Sequence, residues 1–188
     1  MLIRLFAKFG VYLAVEDFGD TCRRLLVEIA VQKDLSPDSI LPLEASTPAG
    51  FRIPASVLQP CCIALRDKEG CYFDVLSNVS AIDLGVDKVP RFEVVYHLSS
   101  VSYERTLVLA VYAATHPKDD LGVLPSLSSI WAGADWHERE AFELFGIIFE
   151  GHKDLRRLLL PADWQGYPLR KDYKTQDTYR GMRVDYEA

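Results

Sequence analysis

Charged and aromatic residues crowd the stretch DWHEREAFELFGIIFEGH at positions 135–152. Its ionisable members include His137, Glu138, Arg139, Glu140 and Glu143. Such dense charge can form a catalytic or metal site, because imidazole and carboxylate groups hold metals and move protons. The same charges can instead form ion pairs that fix one protein surface against another. The two interpretations predict different functions for the protein.

The spacing of these residues departs from the metal motifs that it most nearly matches. The zinc hydrolase motif H-E-x-x-H requires a histidine where the chain has Ala141. The zinc deaminase motif H-x-E has Arg139 at its glutamate position, no P-C-x-x-C follows, and the paired E-x-x-H of di-iron bundles is missing. His152 could act as an acid or base, although such a histidine more often caps a turn. The alternative that stays open is a free-standing metalloenzyme that uses His137, Glu138, Glu140 and His152.

The composition is that of an ordinary globular protein. Of 188 residues 49% are apolar and 26% charged, and the net charge of -6 argues against a nucleic-acid-binding surface. No apolar run approaches the roughly 20 residues of a membrane-spanning helix. The apolar start of the chain is broken by Arg4 and Lys8, which favours an amphipathic turn leading into a strand over a targeting peptide. The cysteines at 22, 61, 62 and 71 lack metal-site spacing and are expected to be buried thiols.

Two helices are predicted in the first 70 residues. Asp17 or Asp20 can cap the first. Its predicted buried face consists of Cys22, Leu25, Leu26, Ile29 and Ala30. The second, with Pro60 in its first turn, is predicted to bury Val57, Leu58, Cys61, Cys62 and Leu65.

Strand patterns follow the second helix. CYFDVLS, RFEVVYHL and RTLVLAVYA have strand-like composition, and the last two flank a short polar segment that suits an antiparallel hairpin. Phe92, Val94 and Tyr96 alternate with other residues and should share the more buried face. FRI is an earlier short extended piece. The fold class predicted is therefore α+β, a small antiparallel sheet with packed helices.

The last helix is predicted to start at Ser126 or Ser128, and Gly146 interrupts it. Arg139 and Glu143 are four residues apart and are expected to form an ion pair on its surface. The remaining chain is rich in Arg, Lys and Tyr without periodicity, which is typical of an extended arm that orders on a partner. The predicted division is an α+β domain over 1–125, a signature helix over 126–150 and a partner-wrapping C-terminal arm over 151–188.

The order of motifs resembles one known family. FEVVYHLSS and, after it, E-R-E, F-G-I, F-x-G-H, L-R-R and P-L-R-K-D-Y are similar to the 30 kDa-type subunit of respiratory complex I, the proton-pumping NADH:quinone oxidoreductase. The resemblance covers about residues 52–173. The chain departs from the family pattern at Asp135, Glu143, Lys153, Tyr167 and Lys174, where the family usually has Asn, Asp, Pro, His and often Pro.

The resemblance implies a scaffold function. Members of this family carry no flavin, cluster or quinone of their own, so FMN and iron–sulfur clusters are expected in partner subunits, and no metal site is expected in this chain. They bind around the large quinone-site subunit (49 kDa-type), next to the cluster-bearing subunits. The resemblance therefore implies a peripheral location on the cytoplasmic side of the inner membrane. The partner contacts implied for this chain are Glu138, Arg139, Glu140, Glu143, His152, Arg156, Arg157, Trp164, Tyr167, Arg170, Lys171 and Tyr173.

Two alternatives keep a binding function and change the assembly. Related subunits occur in ferredoxin- or F420H2-dependent dehydrogenases and in membrane-bound hydrogenases, whose electron donors bind elsewhere. An adaptor outside respiration is a further alternative.

Overall fold

The computed structural model describes residues 18–44, 46–116 and 120–183. The amphipathic turn predicted at the start of the chain, and Asp17 as a cap, lie outside these residues. Within the described part, no helix is long and apolar enough to cross a membrane.

Both predicted N-terminal helices are confirmed. Helix α1 spans Phe18–Gln32 and α2 spans Leu58–Asp67. Short 3-10 turns at Pro37–Ser39 and Ala55–Val57 lead out of the first and into the second. Every residue predicted for the two apolar faces is buried, because helical spacing places them on one stripe that packs against the sheet. Pro60 is tolerated because the first turn of a helix has no backbone acceptor for its missing N–H.

The main sheet has five strands in the order β1-β2-β5-β4-β3. The strands are β1 Leu41–Pro42, β2 Gly50–Arg52, β3 Val75–Asp83, β4 Phe92–Ser100 and β5 Arg105–Tyr112. The predicted hairpin of β4 and β5 is confirmed, and β3 pairs antiparallel with β4. The short β2 pairs parallel with β5, so one parallel pairing joins the predicted antiparallel sheet. Three residues are too few to show a pairing direction in their sequence.

The core lies between this sheet and the two helices. Phe92, Val94 and Tyr96 are fully buried, as their alternation predicted. All four cysteines are buried and free of disulfides. The third strand begins at Val75, later than its sequence pattern predicted, because a turn at 69–71 leads into irregular backbone in which Tyr72 has a φ of +44°.

A second, smaller layer carries the signature sequence. Strands β6 (Ala114–Thr115), β7 (Gly122–Pro125) and β8 (Ile147–Glu150) form a three-stranded sheet in that order. Helix α3 (Ala134–Phe145) connects β7 to the parallel β8 and packs along β3. The arm then crosses the surface and ends in a hairpin of β9 (Thr178–Tyr179) and β10 (Met182–Arg183).

The start predicted for the last helix is wrong. The helix begins at Ala134, and residues 126–133 form turns. The reason is that Glu138 reaches back from the helix and accepts the Leu127 N–H and the Ser126 hydroxyl. A serine hydroxyl held in this way is not free to cap a helix beginning at its own position.

Candidate functional site

Gly146 ends helix α3 and allows the arm to approach it. Its φ of +75° is left-handed, and its N–H donates to the Phe142 carbonyl at 2.9 Å. A Cβ at this position would collide with the guanidinium of Arg170 and lie 2.8 Å from the Tyr167 ring. Glycine is therefore required both by the turn and by the close passage of the arm.

Glu138 is bound inside its own chain. It is fully buried, and its carboxylate accepts hydrogen bonds of 2.6 Å from both the Ser126 hydroxyl and the Leu127 N–H. Burial raises the pKa of this carboxyl, although the two hydrogen bonds act against the rise. In this conformation Glu138 fixes the turn before the helix and does not reach the surface.

Replacing Glu138 with glutamine is expected to give a protein whose stability, relative to the wild type, increases as the pH rises from about 4 to 7. The raised pKa means that the folded wild type holds this proton more tightly than the unfolded chain. Wild-type stability therefore falls as the pH passes from the unfolded to the folded pKa, whereas the amide stays neutral. Urea unfolding of both proteins at several pH values measures the difference.

The matched control for this experiment is Glu150→Gln, at an exposed glutamate on β8. Its unfolding free energy should follow the wild type at every pH. The difference in unfolding free energy between wild type and Glu138→Gln should change with pH. A difference that stays constant, or that shifts in favour of the wild type at higher pH, would contradict the raised pKa of Glu138.

The ion pair predicted between Arg139 and Glu143 is wrong. Glu143 is fully buried and accepts backbone N–H groups of Leu158, Leu159 and Leu160 at 2.9, 2.8 and 3.0 Å. The rule of four-residue spacing considers one helix alone. Here the start of the arm runs beside the helix and supplies a ring of donors that a single guanidinium would not match.

Arg139 binds backbone carbonyl groups at the start of the arm, next to the N–H groups that Glu143 binds. Its guanidinium donates to the carbonyls of Arg156 and Arg157 at 3.1 and 3.3 Å, and lies 4.0 Å from Asp135. Consecutive arm residues therefore offer carbonyls to Arg139 and N–H groups to Glu143. Arg139 and Glu143 together hold the start of the arm against helix α3.

His152 caps a turn. Its side chain is fully buried, and its Nδ1 accepts the Asp154 N–H at 3.1 Å. Its Nε2 therefore carries the proton and donates toward the carbonyl and carboxylate of Asp135, each at 3.2 Å. Among the described residues, no three His, Cys, Asp or Glu side chains are grouped as a metal site. His137, Glu138, Glu140 and His152 are not brought together in that way.

An ion cluster built on the buried pair Arg91 and Asp83, with the half-exposed Asp120 and Asp172, anchors the next part of the arm. Arg91 is 3% exposed and donates to Asp83 at 3.1 Å, to Asp172 at 2.5 Å and to Asp120. The Asp83 carboxylate also accepts the Lys171 N–H at 2.9 Å. Burial alone would raise the pKa of Asp83, but hydrogen bonds from Arg91 and from backbone N–H groups bring it below its ordinary value.

Arg170 completes the anchor next to Gly146. It donates to the carbonyls of Phe145 and Asp120 at 2.6 and 3.0 Å. Its guanidinium stacks 4.4 Å from the Tyr167 ring centroid and 5.0 Å from that of Phe92. Arg170 and Tyr167 thus bind the chain's own domain, where the sequence had predicted only a partner.

The remaining residues predicted at the interface lie along the arm. The Trp164 ring packs on Tyr179 with centroids 5.7 Å apart, and Tyr173 packs against Gly166. Arg156 is exposed and pairs only with Asp154 at 2.9 Å among the described residues. Contact of these side chains with a partner stays a prediction.

Helix α3 and the arm also expose large apolar side chains. Trp136 and Leu159 are each 66% exposed, Leu169 is 53% exposed and Met182 is 65% exposed. None of them was among the contacts predicted from the sequence. Trp136 lies one turn before Glu140, and Leu159 belongs to the L-L-L run of the arm, so both are visible in the sequence as apolar residues beside charged ones.

Similarity to known proteins extends over most of the chain. The family described as "Respiratory-chain NADH dehydrogenase, 30 Kd subunit" matches residues 51–179. The C subunit of NADH-quinone oxidoreductase from Chloroherpeton thalassium is 43% identical over 129 residues, which are 68% of this chain and 51% of that protein. The corresponding protein of Acidithiobacillus ferrooxidans is also 43% identical over 129 residues, 66% of this chain and 61% of that protein. The chain thus spans about half to three fifths of these relatives.

Two solved structures are similar. A trypsin-resistant fragment of Nqo5 superposes with a TM-score of 0.52 at 25% identity, covering 70% of this chain and 97% of the fragment. A chain of an archaeal respiratory complex, the membrane-bound sulfane sulfur reductase, gives a TM-score of 0.64 at 20% identity over 84% of this chain and 86% of that chain. The second likeness shows the fold alone. The extent of the family match and the identity to its relatives show that the chain belongs to the family of the 30 kDa subunit of respiratory-chain NADH dehydrogenase.

Proposed function

We propose that this chain is a non-catalytic assembly subunit in the peripheral arm of a proton-translocating NADH:quinone oxidoreductase. The assembly passes electrons from NADH through FMN and iron–sulfur clusters, held by other subunits, to quinone. This chain binds the large quinone-site subunit and its cluster-bearing neighbours, and it reaches the cytoplasmic face of the membrane only through them. Family membership supports the assembly, and the geometry of α3 and the arm supports the role.

The observation that supports this role is that α3 and the arm bind their buried charges within the chain and leave apolar side chains exposed. Glu138 and Glu143, the charges most suggestive of chemistry, are saturated by donors of their own chain. Trp136, Leu159 and Leu169, on the same helix and arm, remain exposed. Tryptophan is a frequent anchor of protein interfaces, and exposed apolar surface marks sites of interaction.

The same geometry would serve an equivalent subunit of a ferredoxin- or F420H2-dependent dehydrogenase or of a membrane-bound hydrogenase. Nothing on this chain binds the electron donor in the role proposed, so the donor must be read from the assembled complex. Oxidation of NADH by the purified complex, with FMN present, supports NADH; oxidation of reduced ferredoxin alone would exclude it.

The double substitution Leu159→Glu and Leu169→Glu tests the proposed interface in the native complex. Both side chains are exposed, so the free energy of unfolding should change by less than about 1 kcal/mol. Charges placed in an apolar interface lose their hydration, and we expect at least about a tenfold loss of this chain from complexes purified from membranes. Quantitative mass spectrometry of the purified complex measures the loss.

The matched control is Val101→Glu, an exposed valine in the β4–β5 turn that is 67% exposed and far along the chain from the arm. It should be retained like the wild type. Full retention of the double variant, with NADH:quinone activity intact, would contradict the proposed interface.

A further inference from the structure

A polar pocket lies between the outer edge of β3 and helix α3. Its volume is about 250 Å³, and its walls include Asn78, Ala81, His137, Glu140, Leu144 and Leu169. It thus joins the main sheet, the signature helix and the arm. One bond that attaches the arm to the helix, from the Leu169 N–H to the Leu144 carbonyl at 3.1 Å, joins two residues that line the pocket.

The backbone on the β3 side presents free polar groups to this pocket. The Arg91 carbonyl accepts the Leu84 N–H, whereas the Phe92 carbonyl accepts the Ala113 N–H. Odd-numbered residues of β4 therefore bond to β3, and even-numbered ones bond to β5. Ser80 and Ile82 are opposite Val95 and Glu93 and make those bonds.

By the same alternation, Val79 and Ala81 direct their N–H and C=O groups away from β4. Both residues line the pocket. Among the described residues, no backbone or side-chain group outside the sheet bonds to the main chain of either one. The pocket therefore borders a strand edge whose carbonyl acceptors and N–H donors do not bond to β4.

The helix side of the pocket supplies one negative charge. The Glu140 carboxylate has neither an ion pair nor a hydrogen bond within the described part of the chain, unlike Glu138 and Glu143 on the same helix. Leu144 and Leu169 add apolar walls. Trp136, 66% exposed, stands one helical turn before Glu140.

We propose that this pocket is a binding site for the guanidinium group of an arginine presented by a neighbouring polypeptide. A carboxylate beside outward carbonyls matches the several planar donors of a guanidinium, whereas an ammonium group is a compact point charge. The apolar walls of Leu144 and Leu169 suit the methylene stem of the side chain. Which polypeptide supplies the arginine rests on the proposed function. The binding of a guanidinium group by the pocket does not.

Free probes test the recognition chemistry on the full chain. The probe is Nα-acetyl-arginine amide, and its control is Nα-acetyl-citrulline amide, which has the same shape without the charge. With the ¹⁵N-labelled protein, the arginine probe should produce saturable shifts at the backbone amides of Val79, Ala81 and Glu140, which line the pocket. The citrulline probe should bind with at least about tenfold lower affinity than the arginine probe, because one charge-assisted hydrogen bond is lost.

Variants assign the charge. Glu140→Gln should weaken binding of the arginine probe at least about tenfold, since it removes the carboxylate and keeps the shape. The matched control, Glu150→Gln, changes an exposed glutamate outside the pocket and should bind as the wild type does. Equal binding of the two probes, unchanged binding in Glu140→Gln, or the absence of saturable shifts at Val79 and Ala81 would overturn the proposal.

The outcome is separable from the proposed function. If the probe binds as expected but Glu140→Gln assembles normally into the complex, the pocket binds guanidinium and its arginine comes from another source. If the pocket fails to bind the probe, the assembly role of the exposed arm residues is unaffected.

Discussion

Replacing Arg91 with methionine is expected to lower the free energy of unfolding by about 3–5 kcal/mol. The substitution keeps an unbranched apolar stem but leaves the buried Asp83 carboxylate without its cation. It also removes the bond to Asp172, through which the arm is attached to the sheet. Equilibrium unfolding in urea measures the loss, and near-ultraviolet circular dichroism reports whether the domain stays packed.

The pH dependence of this loss has a predicted sign. In the wild type the pKa of Asp83 is lowered, so its stabilising effect is present above the unfolded pKa and is lost as the pH falls through the folded pKa. Without Arg91 the pKa of Asp83 moves upward, because burial is then opposed only by the backbone hydrogen bonds from Lys171 and Gly85. The deficit of the variant should therefore be largest near pH 7 and shrink toward about pH 3.

Arg180→Met is the matched control for Arg91→Met. Arg180 also pairs with a carboxylate, Asp163 at 3.0 Å, but both side chains are more than half exposed. Exposed pairs contribute little, and the control should lose less than about 1 kcal/mol. A comparable loss in both variants, or no pH dependence in the Arg91 deficit, would show that the cluster does not hold the arm.

Replacing Glu143 with alanine is expected to release the start of the arm. The three N–H groups that it binds would lose their acceptor, at a cost of about 3 kcal/mol if they stay buried. The chain can avoid that cost only by letting residues 156–160 leave helix α3. We therefore expect trypsin to cleave after Arg156 and Arg157 at least about tenfold faster than in the wild type.

Glu143→Asp separates the charge from the packing. Aspartate is the residue that the resemblance gives for this position, and it keeps a carboxylate on a shorter stem. It should retain most of the protection, whereas Glu150→Ala, at an exposed site, should change nothing. Cleavage of Glu143→Ala at the wild-type rate would mean that the carboxylate does not secure the arm.

How far the sequence predicted the structure depends on the distance over which each contact acts. Helix α1, helix α2 and the β4–β5 hairpin could be predicted, because their apolar periodicity is local and their cores obey it. The parallel pairing of β2 with β5 could not, since it joins residues more than 50 positions apart.

The sequence predicted which charged residues belong to the candidate site but not which groups they bind. The charges of α3 were visible in the sequence, but their acceptors and donors belong to Ser126, Leu127 and the segment 156–160, which lie outside the helix. Arg91 was not singled out, because its three carboxylates come from segments 8, 29 and 81 residues away. A rule that considers neighbours on one helix cannot recover such contacts.

Hydrogen exchange at Leu158, Leu159 and Leu160 in the free chain tests the central claim most directly: Glu143 of helix α3 holds this chain's own arm in place before any partner binds. The amides that Glu143 accepts should exchange at least about 100-fold more slowly than those of the exposed Lys174 and Thr175, after correction for intrinsic rates. Exchange of all five amides at the same corrected rate would contradict the claim.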